Sequence, residues 1–321
     1  MLVYGFIKLR GCVPCPLLKI LAKGMVIGMQ RSFLSNFSFI AKPTCLRRRF
    51  CINTLLLTTL MFGVQTEAKV LCTIIAEANG DDILVQQGDG CSTRVTPAST
   101  TKIPLAVMGF DSGFLGDPHS PTLPFQEGYV DWLGDIWKQP TDPTRWLKYS
   151  VVWYSQLITH KLGQQRVEQY AADFGFGNAD FSGNSGKSDG LDYAWISSSL
   201  EVSPQEQVAF IRRLINRDLP VAVDVFDKVY QSVDTWPADN GWTIHRKTGM
   251  ASPRIPDDRI DREKPLGWFV GWADKDGRSV VFAKLIQDEK KEIGSTGGRA
   301  PDEFLVEFSE LLDNGFSKDG E

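Results

Sequence analysis

The sequence predicts an α/β fold in which an antiparallel sheet, formed from both ends of the chain, is flanked by helices and carries an inserted, mainly helical lobe. Two observations predict it. Runs rich in β-branched and aromatic residues lie near the two ends of residues 69–321, and the middle repeats apolar residues at spacings of three and four. The composition, 42% hydrophobic and 23% charged in 321 residues, is that of a globular protein with a large core.

The predicted strands comprise a hairpin near the start of this region and three strands near its end. They are residues 70–75, 83–86, 242–246, 268–272 and 279–285. The first two are joined by a turn near Gly80-Asp81-Asp82. The last two are joined by a segment that ends in Asp276-Gly277, a strong hairpin signal.

Three helices are predicted in the middle of the chain and one at its end. They are residues 150–162, 165–174, 204–214 and 302–312. The third has the clearest start: Ser203 is a favoured cap, Pro204 suits the first helical position, and Glu206 carries a negative charge in the first turn. The last helix is expected to cover one face of the sheet.

Residues 1–68 are predicted to be a leader, and residues 69–321 the folded domain. A run of arginines at residues 47–49 precedes an apolar run at residues 50–64, and Ala68 is a suitable cleavage boundary. This order is typical of a signal peptide at about residues 46–68 that directs export to the periplasm. The alternatives are an uncleaved anchor or a lipoprotein-like leader, and residues 1–45 are interpreted as an over-extended start.

Charge is distributed unevenly along the chain. The leader holds nine of the 35 Lys and Arg residues and one of the 39 acidic residues, so 26 basic and 38 acidic residues remain, a net charge of −12. Such an acidic domain is a poor candidate for binding nucleic acid or an anionic membrane surface. An anionic ligand would have to be attracted by local cations.

The six cysteines are divided between leader and domain. Cys72 and Cys91 belong to the domain, where they flank the predicted hairpin. An even pair in an exported protein favours one disulfide, and the alternative is two buried free thiols. The leader holds the other four, Cys12, Cys15, Cys45 and Cys51.

The most informative motif is Ser99-Thr100-Thr101-Lys102, which is followed by an apolar, helix-like run. A spacing of three on a helix puts Ser99 and Lys102 on one face, within reach of each other. A serine hydroxyl needs a base to act as a nucleophile, and lysine can be that base only where burial leaves its amine neutral. Taken alone, the pattern more often marks a solvated first turn of a helix.

Two further segments could complete a site. Ser150-Val151-Val152 begins the central helical region, where Ser150 could relay a proton or merely cap a helix. Lys247-Thr248-Gly249 ends a predicted strand. There Lys247 and Thr248 could hold an anionic group while Gly249 lets a ligand approach the backbone, or the segment could be a solvated strand end.

Other chemistries find little support in the sequence. The three histidines, His119, His160 and His245, show no metal-ligand spacing. There is no Gly-x-Ser-x-Gly element, Walker loop or dinucleotide fingerprint in its structural context. No metal and no organic cofactor are therefore expected.

Four short motifs follow one another along the domain. They are Ser99-Thr100-Thr101-Lys102, Ser150-Val151-Val152, Phe176-Gly177-Asn178 and Lys247-Thr248-Gly249. In order and spacing they resemble those of the class D, oxacillinase-type, serine β-lactamases, and the resemblance extends over residues 70–312. Class A β-lactamases carry Ser-Asp-Asn as their second motif, and penicillin-binding proteins typically carry Ser-x-Asn, whereas position 152 here is an apolar valine.

The resemblance implies a β-lactamase/penicillin-binding transpeptidase-like fold and a hydrolase that opens the β-lactam amide bond, giving antibiotic resistance. Ser99 would attack the β-lactam carbonyl. Lys102, carbamylated by CO2 to N6-carboxylysine, would be the general base, with an indole N–H from Trp195 donated to the carbamate and Val152 keeping the pocket dry. Ser150 would pass a proton to the leaving nitrogen.

The resemblance also implies the substrate contacts. Lys247, Thr248 and Arg299 would hold the substrate carboxylate, and the backbone N–H groups of Ser99 and Met250 would form an oxyanion hole. The third motif departs from the family's usual tyrosine. Phe176 has no hydroxyl, so the segment that it forms with Gly177 and Asn178 is expected to be structural.

Two alternatives share this resemblance: a non-hydrolytic β-lactam sensor that stays acylated, and a penicillin-binding transpeptidase domain. In each case the partner would be a β-lactam antibiotic. Repeated turnover would indicate the hydrolase, and a single stoichiometric burst the sensor. The exported chain is expected to leave the membrane after signal cleavage and to be a monomer or a homodimer.

Overall fold

The computed structural model describes residues 68–238, 241–255, 259–292 and 294–316. The leader predicted for residues 1–68 lies outside the described residues, except for Ala68. Within the described part, no helix combines the length and the apolar character needed to cross a bilayer.

Six antiparallel strands in the described residues form one sheet. They are β1 (Lys69–Glu77), β2 (Ile83–Gln87), β3 (Asp234–Pro237), β4 (Thr243–Ala251), β5 (Leu266–Lys275) and β6 (Arg278–Gln287). Their order across the sheet is β2-β1-β6-β5-β4-β3. The first strand of the domain therefore pairs with the last, which confirms the prediction that the sheet is built from both ends of the chain.

The strand that the sequence analysis missed is β3, at the edge of the sheet beside β4. It is only four residues long, begins with Asp234 and ends with Pro237. Asp and Pro are both depleted in strands, and a proline fits there because an edge strand leaves one side of its backbone unpaired.

The described residues contain eight α-helices. They are α1 (Lys102–Asp111), α2 (Pro143–Tyr149), α3 (Val152–Leu162), α4 (Gln164–Phe174), α5 (Gly190–Tyr193), α6 (Pro204–Ile215), α7 (Val223–Ser232) and α8 (Thr296–Phe316). The start of α6 is as predicted, since Ser203 and Glu206 form a reciprocal capping box.

The last helix, α8, begins six residues before its predicted start at residue 302. Two glycines and Pro301 in this part of the sequence are poor helix formers and predict a later start. A close contact accounts for one glycine: a Cβ on Gly297 would lie 2.6 Å from the carbonyl oxygen of Gly249 in β4. Only glycine lets the helix start so near the strand.

The sheet is buried on both faces. On one face Trp268 and Val270 of β5 pack into a core shared with the helical lobe. On the other face Phe269 and Phe282 pack against Phe304 of α8. Each such buried aromatic contributes on the order of 1.5–3 kcal/mol. The central strands therefore carry apolar residues at successive positions rather than at alternate ones.

The predicted disulfide between Cys72 and Cys91 is present, and the two Cα atoms lie 5.0 Å apart. Cys72 belongs to β1, and Cys91 follows β2. Both side chains are buried in the core beneath the helical lobe. The bridge thus fixes the chain that leaves the hairpin and leads toward Ser99.

Candidate active site

The segment with Ser99 is a single 3₁₀ turn, Ala98–Thr101, that runs directly into α1. Residues three apart eclipse one another in a 3₁₀ turn, which brings the predicted pair together. The distance from Lys102 Nζ to Ser99 Oγ is 3.2 Å. The turn is held from the helical lobe by Gln207, whose side-chain amide donates to Thr100 Oγ1 over 2.6 Å.

Lys102 is completely buried, although it begins a helix. Burial lowers the pKa of its amine well below the usual value, and the charge of Lys247 lowers it further. Among the described residues, Ser99 is the hydrogen-bond partner of this amine. The arrangement is a buried amine, whose uncharged form is favoured, beside a half-buried hydroxyl, which is what a lysine base requires.

Ser150 lies at the junction of α2 and α3 in the left-handed backbone region, with φ 56°. A residue other than glycine adopts this conformation at an energetic cost, and such cost concentrates at functional sites. The Lys247 amine donates to Ser150 Oγ over 2.6 Å and to the Thr248 carbonyl oxygen over 3.0 Å. The second and fourth motifs therefore meet in space.

The electrostatics of Lys247 differ from those of Lys102. Burial lowers the pKa of Lys247 to about 7; the carboxylate of Asp234 opposes this shift, and the charge of Arg246 adds to it. Asp234 lies in β3, next to β4, and forms an ion pair with Arg246. Asp234 is not among the predicted site residues, because the short edge strand that carries it was not predicted.

Gly249 lies close to the turn around Ser99. A Cβ at this position would lie 3.0 Å from the Pro97 carbonyl oxygen and 3.2 Å from the Thr100 methyl group. These distances are tighter than ordinary van der Waals contacts, and the neighbours belong to the turn around Ser99. Glycine is thus needed so that β4 can pack against that turn, and the predicted role of Gly249 in admitting a ligand stays a prediction.

Trp195 and Val152 are both buried in the core of the helical lobe. The indole N–H of Trp195 has no hydrogen-bond partner among the described residues. A buried donor without a partner is costly and requires an explanation. The buried core around these two side chains therefore contains one unused hydrogen-bond donor.

The third motif forms a structural corner. Phe176 is buried and contacts the Phe210 ring edge-on, with the ring centroids 5.3 Å apart. Gly177 has φ 61°, and a Cβ there would lie 2.0 Å from the Glu201 carbonyl oxygen. The Asn178 side chain accepts from the Glu201 N–H and donates to the Ser199 carbonyl oxygen. These contacts agree with a structural role.

Arg299 and Met250 lie where β4 and α8 come together. The Arg299 guanidinium forms an ion pair with the buried carboxylate of Asp288, which also accepts a hydrogen bond from the Thr296 hydroxyl over 2.7 Å. The Nη1 atom of Arg299 is buried without a partner among the described residues. Met250 is 52% exposed.

No group of three or more His, Cys, Asp or Glu side chains in the described part of the chain is arranged to bind a metal ion.

Comparisons with known proteins agree with this geometry. Residues 71–310 match the family described as "Penicillin binding protein transpeptidase domain". The sheet with its Ser-x-x-Lys turn and Lys-Thr-Gly strand therefore defines a penicillin-interacting serine enzyme.

The chain is 43% identical over 244 residues to β-lactamase OXA-9 of Klebsiella pneumoniae, covering 76% of this chain and 88% of that one. It is 33% identical over 217 residues to β-lactamase OXA-1 of Escherichia coli, covering 67% and 75%. The crystal structure of the class D β-lactamase OXA-427 superposes with a TM-score of 0.71 at 43% identity, over 76% of this chain and 99% of that one. The chain belongs to the class D serine β-lactamases.

Proposed function

We propose that the protein hydrolyses the amide bond of β-lactam antibiotics through an acyl-enzyme on Ser99 and so confers resistance. The observation that carries this proposal is the 3.2 Å contact between the Ser99 hydroxyl and the fully buried amine of Lys102. The names of the relatives at 43% and 33% identity support the same reaction. As Ser99 Oγ attacks the carbonyl carbon, its proton passes to the Lys102 side chain.

The Lys102 amine fits carbamylation by CO2, because only an uncharged amine can react with CO2 and burial favours the uncharged form of this one. The unpartnered Trp195 N–H and the apolar Val152 suit an anionic group held in a dry pocket. When present, the carbamate supplies a carboxylate-like proton acceptor. The Lys102 side chain then takes a proton from the water that cleaves the acyl-enzyme.

Ser150 and Lys247 suit the step in which the β-lactam C–N bond breaks. The leaving nitrogen needs a proton, and Ser150 Oγ can pass one on because Lys247 Nζ lies 2.6 Å away. The backbone N–H groups of Ser99 and Met250 are the proposed oxyanion donors, each worth about 10²–10³ in rate in other enzymes.

The substrate carboxylate is assigned to Lys247, Thr248 and Arg299. Lys247 can supply a positive charge at neutral pH, since its pKa is about 7 and a bound anion would raise it. The unpaired Nη1 of Arg299 offers a second donor, while Asp288 holds the rest of the guanidinium.

We also propose export to the periplasm through a signal peptide at about residues 46–68. The Cys72–Cys91 disulfide supports this, because such bridges persist in oxidising compartments. Monomer or homodimer remains the expectation for the exported chain.

Turnover of nitrocefin by the purified domain, with and without added bicarbonate, tests the proposed function. We expect many turnovers per protein molecule, a rate that rises with bicarbonate, and no turnover by Ser99→Ala. A burst of one equivalent followed by a stable adduct would instead support the sensor. If the turnover rate in CO2-free buffer does not change when bicarbonate is added, carbamylation of Lys102 is contradicted.

A further inference from the structure

Thr96, three residues before Ser99, is a buried junction between distant parts of the chain. Its hydroxyl donates to the Trp195 carbonyl oxygen over 3.0 Å and accepts from the Ser197 N–H over 2.9 Å. Its own carbonyl oxygen accepts from the indole N–H of Trp268 over 2.9 Å. One side chain thus joins the turn that bears the nucleophile to the segment that bears the proposed carbamate donor.

The segment held by Thr96 needs such support. Ser197 has φ 53°, in the left-handed region that a residue other than glycine adopts only when its surroundings enforce it. The Ser197 hydroxyl accepts from the Ser252 N–H over 3.2 Å, two residues beyond Met250. The backbone from residue 195 to 197 is therefore fixed between the Ser99 turn and the end of β4.

Fixing this backbone also fixes the direction of the Trp195 side chain. Trp195 is fully buried, so its ring cannot turn toward water, and its N–H has no partner among the described residues. The Thr96 hydroxyl contacts the backbone at residues 195 and 197, the two neighbours of Ile196. A change in these two hydrogen bonds would move the indole N–H away from the anion that it is proposed to meet.

We infer that Thr96 is a positioning residue that acts through Trp195 and sets the affinity of Lys102 for CO2. This inference rests on the proposed carbamylation of Lys102 and deepens it. Among the described residues, the hydrogen-bond partners of the Thr96 hydroxyl are the two backbone groups, and neither belongs to a reacting residue. Thr96 contributes to the carbamylation of Lys102, and not to the attack of Ser99 on the substrate.

Thr96→Val tests this, because valine keeps the shape of threonine and removes its hydroxyl. Two backbone groups then lose their partner in a buried site, and the left-handed Ser197 can relax. We expect the bicarbonate concentration for half-maximal carbamylation to rise about tenfold, as the loss of one to two buried hydrogen bonds implies. Thr96→Ser keeps the hydroxyl and is expected to stay within about twofold of the parent protein.

The readout is the carbamate carbon signal in ¹³C NMR during titration with ¹³C-bicarbonate, alongside nitrocefin kinetics. Saturating bicarbonate should restore the turnover of Thr96→Val, because the defect lies in loading the base. Thr73→Val is the matched control: Thr73 is equally buried, and its hydroxyl has no partner among the described residues. In that variant, the bicarbonate concentration for half-maximal carbamylation is expected to equal that of the parent protein.

A double variant separates positioning from general destabilisation. In a Trp195→Phe background, Thr96→Val should change the midpoint by less than about twofold, because both substitutions remove the same indole contact. A full tenfold change there would overturn the inference. Thr96→Ala gives the same comparison if the valine variant does not fold.

The two proposals fail in different ways. If the parent protein shows no carbamate signal at any bicarbonate concentration, the proposed base is wrong and the role of Thr96 falls with it. If the parent signal is present and Thr96→Val titrates like the parent, only the role of Thr96 is wrong.

Discussion

Two buried lysines lie in this site, each beside a serine hydroxyl, yet their electrical surroundings differ. The Lys102 amine is 3.2 Å from Ser99 Oγ, and the Lys247 amine is 2.6 Å from Ser150 Oγ. Burial lowers the pKa of both amines. Because geometry and burial are so similar, neither explains why the two lysines should have different tasks.

The neighbouring charges make the difference. At Lys102 the second influence on the pKa is the positive charge of Lys247, which acts in the same direction as burial. At Lys247 the carboxylate of Asp234 acts against burial and leaves the pKa at about 7. Both influences favour the uncharged form of Lys102 and suit it to be a base, whereas Lys247 can still carry charge and suits an anion site.

The largest effect is expected from removing the neutral lysine. Lys102→Ala takes away the proposed base, and general-base catalysis is worth about 10²–10⁴ in rate. We expect turnover of nitrocefin to fall by about a thousandfold or more and an acyl-enzyme to accumulate. Intact-protein mass spectrometry would detect the adduct on Ser99 after incubation with a penicillin.

The control for this variant is Lys228→Ala, which removes a surface lysine paired with Asp224. It is expected to turn over nitrocefin like the parent protein. Normal steady-state turnover by Lys102→Ala would show that the catalytic base is another group.

A smaller and more selective effect is expected from substituting Lys247, the lysine that can carry charge. Lys247→Gln removes the proposed charge-assisted contact to the substrate carboxylate. Such a contact is worth about 1.5–3 kcal/mol, or roughly 10- to 150-fold in kcat/KM. For a penicillin with a free carboxylate, we expect most of this loss of kcat/KM to appear as a higher KM.

The methyl ester of the same penicillin is the control substrate, since it has no charge for Lys247 to meet. The ratio of parent to variant kcat/KM should therefore be much smaller for the ester. Equal losses with acid and ester would mean that Lys247 acts on proton transfer through Ser150 and not on the substrate charge.

The sequence alone predicted the features that depend on local patterns. The Ser99–Lys102 pair follows from a spacing of three, and the first and last strands of the domain, β1 and β6, follow from their runs of apolar residues. The start of α6 follows from Ser203 and Pro204. Each of these signals lies within about ten residues of chain, where backbone geometry decides which side chains meet.

Features that depend on distant contacts were less predictable. Ser150 and Lys247 are separated by 97 residues, and their proximity was indicated only by the family resemblance. Gly249 is explained by the packing of β4 on the Ser99 turn, which no local pattern reveals. Asp234 lies on a short edge strand whose first and last residues, Asp and Pro, disfavour sheets, so the charge that distinguishes the two lysines was missed.

The smallest expected effect comes from substituting Asp234, and it tests directly whether this carboxylate distinguishes Lys247 from Lys102. Lys247 is protonated below about pH 7 and loses its charge above it, so KM for an anionic penicillin should rise as pH increases through 7. Asp234→Asn removes the carboxylate that raises the pKa of Lys247, and it leaves the opposing charge of Arg246 without its ion pair. Both changes lower the pKa of Lys247, so the rise in KM should begin at a lower pH.

At pH 7 we expect KM to increase about two- to fivefold in Asp234→Asn, an effect of less than one pKa unit. The measurement is KM against pH from 5.5 to 8.5 (about three units around the pKa of Lys247). Asp224→Asn is the matched control, because Asp224 is an exposed carboxylate whose partner is Lys228. An unshifted profile in Asp234→Asn would mean that burial alone sets the charge of Lys247. The two lysines would then differ in position only, and the division into base and anion site would lose its electrostatic cause.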